Sequence, residues 1–228
     1  MTASAQGDIE YLSLNGVAKG ERFFTEWQKS EADGKYYFYL PAGTDLSSVK
    51  TKFVAADPVY VGETKLGYDK ETDAFAGGGE FTVTSGSASY QVVLLQSQNI
   101  PAMFIETESG SLDAIHADKS HKEKGKIAVV EDGEVTVDTT LASIKGRGNS
   151  TWSLDKKPYN IKFDKKTNLL GLGKAKKFSL LASRYDPSFL RNTFIFDLSD
   201  EMGLYYSSKS KPVDLYINGE YLGNYLVC

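Results

Sequence analysis

Cysteine is almost absent from this chain of 228 residues, since its single example is the final residue, Cys228. Neither an internal disulfide nor a cysteine-based zinc site can therefore form. A chain nearly free of cysteine fits a cytosolic protein. It fits equally an exported protein of a bacterium that builds its surface proteins without disulfides. Cysteine usage therefore leaves the cellular compartment open.

Long apolar runs are also missing, because no stretch approaches the roughly 18 apolar residues that a membrane span requires. The first residues, MTASAQGDIEYLSLNG, lack the charged start and apolar stretch of a secretion signal. Hydrophobic residues make up 41% of the chain and charged residues 25%, with 14 Tyr and 12 Phe. This composition predicts a folded, soluble chain without a membrane span, long enough for two modest domains.

Charge is distributed unevenly along the chain. Residues 145–177 contain ten Lys or Arg and two Asp, a balance of +8, whereas the whole chain has a formal net charge of −4, so the remainder carries −12. Such a basic segment suggests a phosphate-bearing or acidic partner. Solvated lysines on strand edges would produce the same count, so both interpretations stay open.

The region 35–98 has the pattern of a small all-β domain. Short apolar or alternating runs recur about every ten residues, turn residues separate them, and no helical period appears. We therefore predict a flexible N-terminal segment over 1–20 and an immunoglobulin-like β-sandwich, acting as a spacer without catalytic residues, over 21–98. The predicted strands cover 35–40, 49–55, 59–61, 65–66, 80–84 and 90–95.

A second domain is predicted over 99–228, with a mixed α+β character. Strands are indicated at 102–105, 125–130 and 134–137, the last two joined as a hairpin. One convincing helix begins near Asp186, which can cap it, and ends at Gly203. Its apolar residues recur at helical spacing and predict one buried face, formed by Phe189, Leu190, Phe194, Ile195, Leu198 and Met202.

The two histidines, His116 and His121, lie in a polar segment predicted to be a loop. Asp113 and Asp118 stand nearby and could complete a metal site. An exposed, lysine-rich loop without a second group of ligands is more often only a loop. We therefore predict no metal site.

The most distinctive motif is IKGRGNSTW at residues 144–152, which KKPYNIKF follows at 156–163. Glycines on both sides of Arg147 would let the backbone approach a ligand, and the polar and cationic side chains around it favour phosphate. The motif is not a P-loop, because the Gly-x-x-x-x-Gly-Lys-Ser/Thr order is missing. The alternative is a tight turn between two strands that Trp152 anchors in the core.

These motifs are followed by LLG at 169–171, KFSLLA at 177–182, LRN at 190–192 and VDLYINGEYLGNY at 213–225. In order and spacing they resemble the spore coat protein H (CotH) kinase family, over the C-terminal part of the chain and with weaker similarity towards Ile100. The resemblance implies an atypical protein-kinase-like fold that binds ATP with Mg or Mn and phosphorylates Ser or Thr of extracytoplasmic or coat proteins. It also implies a bacterial protein of the cell surface or spore coat.

The resemblance further implies a role for a strand lysine. Lys162 is placed like the lysine that holds ATP phosphates in kinases, and Lys157 is the competing candidate. On the following helix, Asp197 or Glu201 would be its ion-pair partner. Strand alternation turns Lys162 away from the aromatic core, towards a cleft or solvent.

Two further residues are candidates for contact with phosphate or substrate by the same resemblance: Arg147 and Asn149. Arg191, near the start of the helix, could instead be structural and bridge to Asp186 or Asp214.

The family continues beyond the last motif with a further strand and segments that carry catalytic acids, whereas this sequence ends at Cys228. We therefore expect no catalytic residue within this chain. As a truncated part of a CotH-type kinase domain it would be inactive, and it would bind nucleotide weakly or not at all. The alternative is a non-catalytic surface or adhesion module that recognises polyanions or cell-wall components. No nucleic-acid partner is expected, and the sequence does not indicate the protein substrate.

Overall fold

The computed structural model describes residues 8–20 and 22–228 and is dominated by β-strands. The chain divides into two compact units, the first formed mainly by residues up to Asn99 and the second mainly by residues from Ile100 onwards. Both units are built on β-sheets, so the protein is mainly β. None of the helices in the described part is long and apolar enough to cross a membrane.

The first unit contains a four-stranded sheet, and one of its two inner strands comes from the start of the chain. In spatial order, its strands are β2 (Phe24–Glu26), β1 (Ile9–Asn15), β5 (Val49–Ala55) and β8 (Lys70–Thr72).

Strand β1 corrects the prediction of a flexible segment over 1–20. It pairs with β2 on one side and β5 on the other, and its Leu12 and Leu14 are fully buried. The apolar side chains of β1 are needed to fill the interior of this unit, so the segment is held in the sheet. Residues 1–7 of the predicted segment lie outside the described residues.

The second sheet of this unit has six strands. In spatial order they are β3 (Gln28–Lys29), β4 (Tyr36–Leu40), β10 (Ala88–Gln96), β9 (Gly79–Ser85), β6 (Val59–Val61) and β7 (Thr64–Lys65). Strands β4 and β10 are parallel, and the other neighbours are antiparallel. The strands predicted within 35–98 appear close to their predicted positions, because turn residues mark their ends.

The second unit is a closed seven-stranded barrel. Around the barrel its strands are β11 (Ala102–Thr107), β12 (Glu123–Glu131), β13 (Glu134–Gly146), β14 (Tyr159–Asn168), β15 (Lys174–Leu181), β17 (Glu220–Val227) and β16 (Lys211–Ile217). The parallel pair β11 and β16 closes it. Alternating side chains fill the interior, including Ile105, Val129, Ile144, Ile161, Phe163, Leu180 and Leu215.

Short helical segments interrupt the barrel sequence at two places where only loops were expected. Helix α1 (Asp113–Ala117) lies in the predicted histidine loop, and a 3-10 turn covers Ser150–Ser153. Ile115 of α1 is fully buried in the barrel core. Such a short helix cannot show a helical period in the sequence.

The long helix, α2 (Arg191–Glu201), starts later than predicted. Phe189 adopts a left-handed backbone with φ 58°, which separates Pro187 from the helix. Asp186 still accepts a hydrogen bond at the start of the helix, because the Arg191 N–H donates to its Oδ2 at 2.9 Å.

The predicted buried face of α2 is wrong. None of its residues is buried, and Phe194 is 65% exposed. Helical spacing shows that apolar side chains share a face. It does not show whether another element of this chain covers that face, and here the barrel core is filled by strand residues.

Candidate functional site: a cationic face of the barrel

Three neighbouring strands, β13, β14 and β15, present a basic outer face. Lys162 lies opposite Lys177 on one side and opposite Ser143 on the other. These three residues form one row across the strands. The next row, two residues further along each strand, consists of Lys145, Asn160 and Ser179. Because side chains alternate along a strand, both rows point to the same side of the sheet. The core residues Tyr159, Ile161 and Phe163 point to the other side, as strand alternation predicts.

These rows line a groove of about 660 Å³, here called the lysine groove. Lys122 and Lys124, at the start of β12, complete its lining, so five lysines surround it. None of the described residues that line it is a carboxylate. The groove therefore has a strongly positive character that is not neutralised within its own lining.

The next row on the same face leads into a second cavity. Arg147 donates its backbone N–H to the Pro158 carbonyl at 3.0 Å, which continues the β13–β14 ladder beyond Lys145 and Asn160. A cavity of about 380 Å³ opens here, and we call it the arginine pocket. Its lining includes Arg147, Arg184, Arg191, Thr151, Asp186 and Asn192.

The glycines beside Arg147 have a structural explanation. A Cβ on Gly146 would lie 2.5 Å from the Trp152 ring, and a Cβ on Gly148, whose φ is +81°, would lie 2.4 Å from the Thr151 hydroxyl oxygen. Lys119 Nζ then donates to the Gly148 carbonyl at 2.6 Å. Both glycines therefore make room for the loop's own side chains, in agreement with the alternative of a tight turn anchored by Trp152.

The two lysine candidates occupy different environments. Lys162 is exposed and lines the lysine groove. Lys157 lines neither cavity, because its Nζ donates to the carbonyls of Trp152 and Leu154, each at 2.9 Å. These bonds use the Lys157 ammonium to hold the turn after residues 150–153.

The other predicted site residues are dispersed as well. Arg147 lines the arginine pocket, whereas Asn149 is exposed, lines neither cavity and accepts a hydrogen bond from Lys119 Nζ at 3.4 Å. Asp197 and Glu201 lie on α2, and within residues 8–20 and 22–228 neither forms an ion pair with Lys162. The predicted site residues thus do not converge on one position.

Arg191 lies beside Asp186, one of the two partners considered for it, and it also lines a cavity. Its Nε lies 3.7 Å from Asp186 Oδ1, which supports the structural interpretation, and its side chain also lines the arginine pocket. The pKa of Asp186 is lowered, first by the Ser188 hydroxyl and then by the Arg191 N–H. The carboxylate is therefore held ionised by the segment that precedes α2.

Lys156 is a feature that sequence reasoning missed. It is half-buried, its Nζ donates to the Asn224 carbonyl, and it lies 4.7 Å from the ring centroids of Phe189 and Tyr225. Burial, followed by the charge of Arg184, lowers the pKa of Lys156 to about 8. No local signal marks this lysine in the basic run, because both rings come from distant parts of the chain.

The two histidines differ: His116 packs against aromatic rings, whereas His121 is exposed and lies 3.5 Å from Glu123 Oε1. His116 Nε2 is 2.8 Å from the Tyr159 hydroxyl, and burial, followed by the charge of Lys157, lowers the pKa of His116. In the part of the chain that the structure describes, no group of three His, Cys, Asp or Glu side chains could hold a metal ion.

Comparisons with solved structures show only distant similarity. A putative glycoside hydrolase from Bacteroides thetaiotaomicron is 13% identical, with a TM-score of 0.28, covering 94% of this chain and 60% of that one. A DUF4623 family protein from Bacteroides eggerthii is 8% identical, with a TM-score of 0.29, covering 76% of this chain and 53% of that one. The chain thus spans about 60% of the length of the first of these structures. No curated protein sequence matched the chain.

The comparison with family models gives a defined result for the C-terminal part. Residues 144–228 match the family described as CotH kinase protein. The matched segment begins in β13 and includes β14 to β17, Lys162 and Lys177 of the lysine groove, and the three arginines of the arginine pocket. The similarity to the CotH kinase protein family therefore covers residues 144–228 of this chain.

Proposed function

We propose that this chain supplies a phosphate-binding part of a CotH-family protein kinase. In full length, the kinase would transfer phosphate from ATP to Ser or Thr of extracytoplasmic or coat proteins. One observation carries this proposal: Lys162 and Lys177 lie opposite each other, Lys145 follows two residues along, and no described carboxylate lines their groove.

The energetics of this arrangement favour an anionic ligand. Like charges directly opposite each other on neighbouring strands are destabilising, by an amount comparable to the roughly 0.2–1 kcal/mol of other cross-strand pairs. A phosphate group between Lys162 and Lys177 would offset that repulsion and accept hydrogen bonds from both ammonium groups. The groove, at about 660 Å³, is also within the usual range of ligand pockets.

ATP and the metal fit these residues differently. When bound, ATP supplies the transferable phosphoryl group, and the lysines have the donor chemistry to bind and orient its phosphates. A Mg or Mn site needs oxygen ligands, which the described groove residues do not supply as carboxylates. We therefore place no metal-dependent step on this chain, and propose that by itself it binds nucleotide weakly and transfers no phosphate.

The remaining parts of the proposal concern architecture and location. The two sheets of the first unit would form an immunoglobulin-like spacer, and the barrel unit would be a kinase-like domain part. The family match supports a location at the bacterial surface or in a spore coat. Near absence of cysteine is compatible with export in such bacteria.

Titration calorimetry with ATP tests the proposed phosphate site. Lys162→Ala and Lys177→Ala should each weaken ATP binding about fivefold or more, because each removes one ammonium contact. Lys165→Ala is the matched control, since Lys165 also lies on β14 but lines neither cavity. Unchanged ATP affinity in Lys162→Ala would reject the assignment, and tight, metal-dependent binding with phosphate transfer would reject the proposed inactivity.

A non-catalytic polyanion-binding module is the second candidate. The +8 balance over residues 145–177, together with the absence of a metal-ligand group among the described residues, favours it. Comparison of ATP with tripolyphosphate separates the two proposals. A nucleotide site binds ATP more tightly than tripolyphosphate, whereas a polyanion site binds tripolyphosphate at least as well and prefers longer polyphosphate chains.

A further inference from the structure

The arginine pocket differs from the lysine groove in its donor chemistry. Three arginines line it, Arg147, Arg184 and Arg191, whereas the cationic residues that line the groove are lysines. Guanidinium is a planar fork that matches two oxygens of a phosphate at once, whereas an ammonium acts as a point charge. The two cavities therefore suit different ligands, although they follow one another along the same strands.

Arg147 is the arginine of this pocket for which no carboxylate partner is found among the described residues, whereas Arg184 and Arg191 each lie beside an Asp. It is half-buried, yet its guanidinium has no hydrogen-bond or ion-pair partner within residues 8–20 and 22–228. Placing a cation at a partly buried position without a partner is unfavourable. An anion in the pocket would relieve this cost.

The other two arginines retain donors for a ligand. Arg184 uses its Nε to bond Asp155 Oδ1 at 2.8 Å, which leaves its terminal nitrogens outside that bond. Arg191 lies beside Asp186, whose oxygens already accept the Ser188 hydroxyl and the Arg191 backbone N–H. Among the described lining residues Asp186 is the one carboxylate, and it is therefore engaged, so that the three arginines leave an excess of positive charge.

From these observations we propose that the arginine pocket binds a phosphate monoester, the group carried by phosphoserine or phosphothreonine. The Thr151 hydroxyl and the Asn192 amide also line the pocket and add neutral donors. Leu181 and Ala182 provide an apolar side, against which the carbon atoms that carry the phosphate can pack. This site goes beyond the proposed ATP site, because it uses neither Lys162 nor Lys177.

Fluorescence anisotropy with a labelled phosphoserine peptide tests this site on the whole chain. The phosphopeptide should bind about tenfold or more tightly than its unphosphorylated form, and Arg147→Gln and Arg184→Gln should each reduce its affinity about fivefold or more. Arg184 is exposed, so its substitution leaves the fold intact even if the change at Arg147 does not. Lys165→Gln removes the same charge outside both cavities and should change affinity less than twofold.

Further measurements identify the ligand and separate this proposal from the ATP site. If inorganic phosphate displaces the labelled peptide as strongly as unlabelled phosphopeptide does, the ligand of the pocket is free phosphate and not a phosphorylated peptide. Equal binding of phosphorylated and unphosphorylated peptides, or an equal loss in Lys165→Gln, would overturn the site. Lys162→Gln should impair ATP binding but not phosphopeptide binding, so failure of the ATP proposal and failure of this one are distinguishable.

Discussion

Lys162 of strand β14 and Lys177 of strand β15 are direct cross-strand partners, and both side chains are exposed on the lysine groove. The pairing places two lysine side chains next to each other on the sheet, and no described carboxylate lines their groove. Binding residues of this kind reduce the stability of the free protein and are stabilised by their ligand.

Lys177→Gln should therefore have opposite effects on stability and binding. We expect the free energy of unfolding to rise by about 0.2–1 kcal/mol, since a like-charge pair is removed, while affinity for ATP falls. Urea unfolding at low and high salt measures the first effect, which should shrink as salt screens the repulsion. Lys176→Gln, at an exposed position outside the groove, is the control. A loss of stability in Lys177→Gln would contradict the repulsion.

Gly148→Ala tests the structural explanation of the distinctive loop. Its Cβ would meet the Thr151 hydroxyl oxygen at 2.4 Å in a left-handed backbone, so we expect a loss of about 2–3 kcal/mol in unfolding free energy. Gly171→Ala is a matched control, because Gly171 has φ +72° and open space around its Cβ position. The control should lose only about 1 kcal/mol, from backbone strain alone. Equal losses in thermal unfolding would show that the contact with Thr151 does not matter.

Lys156 should make stability depend on pH in the alkaline range. Its pKa is about 8 in the folded protein, against an ordinary value of 10.5. Between pH 8 and 10.5, Lys156 is protonated in the unfolded chain but largely neutral in the folded protein, so the free energy of unfolding rises with pH. Below pH 8 the folded protein must bury the charged ammonium, and the full cost of that burial applies.

Lys156→Met removes this titration. Below pH 8, the melting temperature of the variant should exceed that of the parent protein by the largest amount. This excess should shrink as the pH approaches 10. Lys165→Met provides the comparison for a lysine whose side chain is exposed. A difference that stays constant with pH would show that Lys156 has an ordinary pKa.

The apolar side chains of α2, and of Met202 directly after it, should contribute little to the stability of this chain. Phe194 is 65% and Met202 is 67% exposed, so Phe194→Ser and Met202→Ser should each change the unfolding free energy by less than about 0.5 kcal/mol. Phe163→Ala, in the barrel core, should cost about 3–5 kcal/mol. Chemical denaturation of the three variants measures the contrast. A cost of several kcal/mol at Phe194 would show that its face is covered.

The strands were the most predictable part of the fold. In the first unit, alternation and turn residues marked strands such as Val49–Ala55 and Val59–Val61 at their observed bounds. Strand β1 was missed, because its role depends on pairing with β2 and β5 rather than on a local signal. The order of motifs from residue 144 onwards was sufficient for the family assignment.

The candidate site was less predictable than the strands. Lys162 and Arg147 could be selected from the basic motifs, but their neighbours across the sheet could not. Lys157 looked equivalent to Lys162 in the sequence, yet its ammonium is used by the turn that contains Trp152. Local sequence carries the charge of a residue, whereas its available hydrogen-bond partners depend on the whole fold.

By itself, the sequence determined the mainly β character, the similarity of residues 144–228 to the CotH kinase protein family and the orientation of Lys162 away from the core. These follow from local periodicity and motif order. Only the tertiary structure decided that Lys177 lies opposite Lys162, that two aromatic rings enclose Lys156 and that α2 remains exposed. The physical reason is that strand register and burial arise from contacts between residues far apart in the chain, which local patterns do not specify.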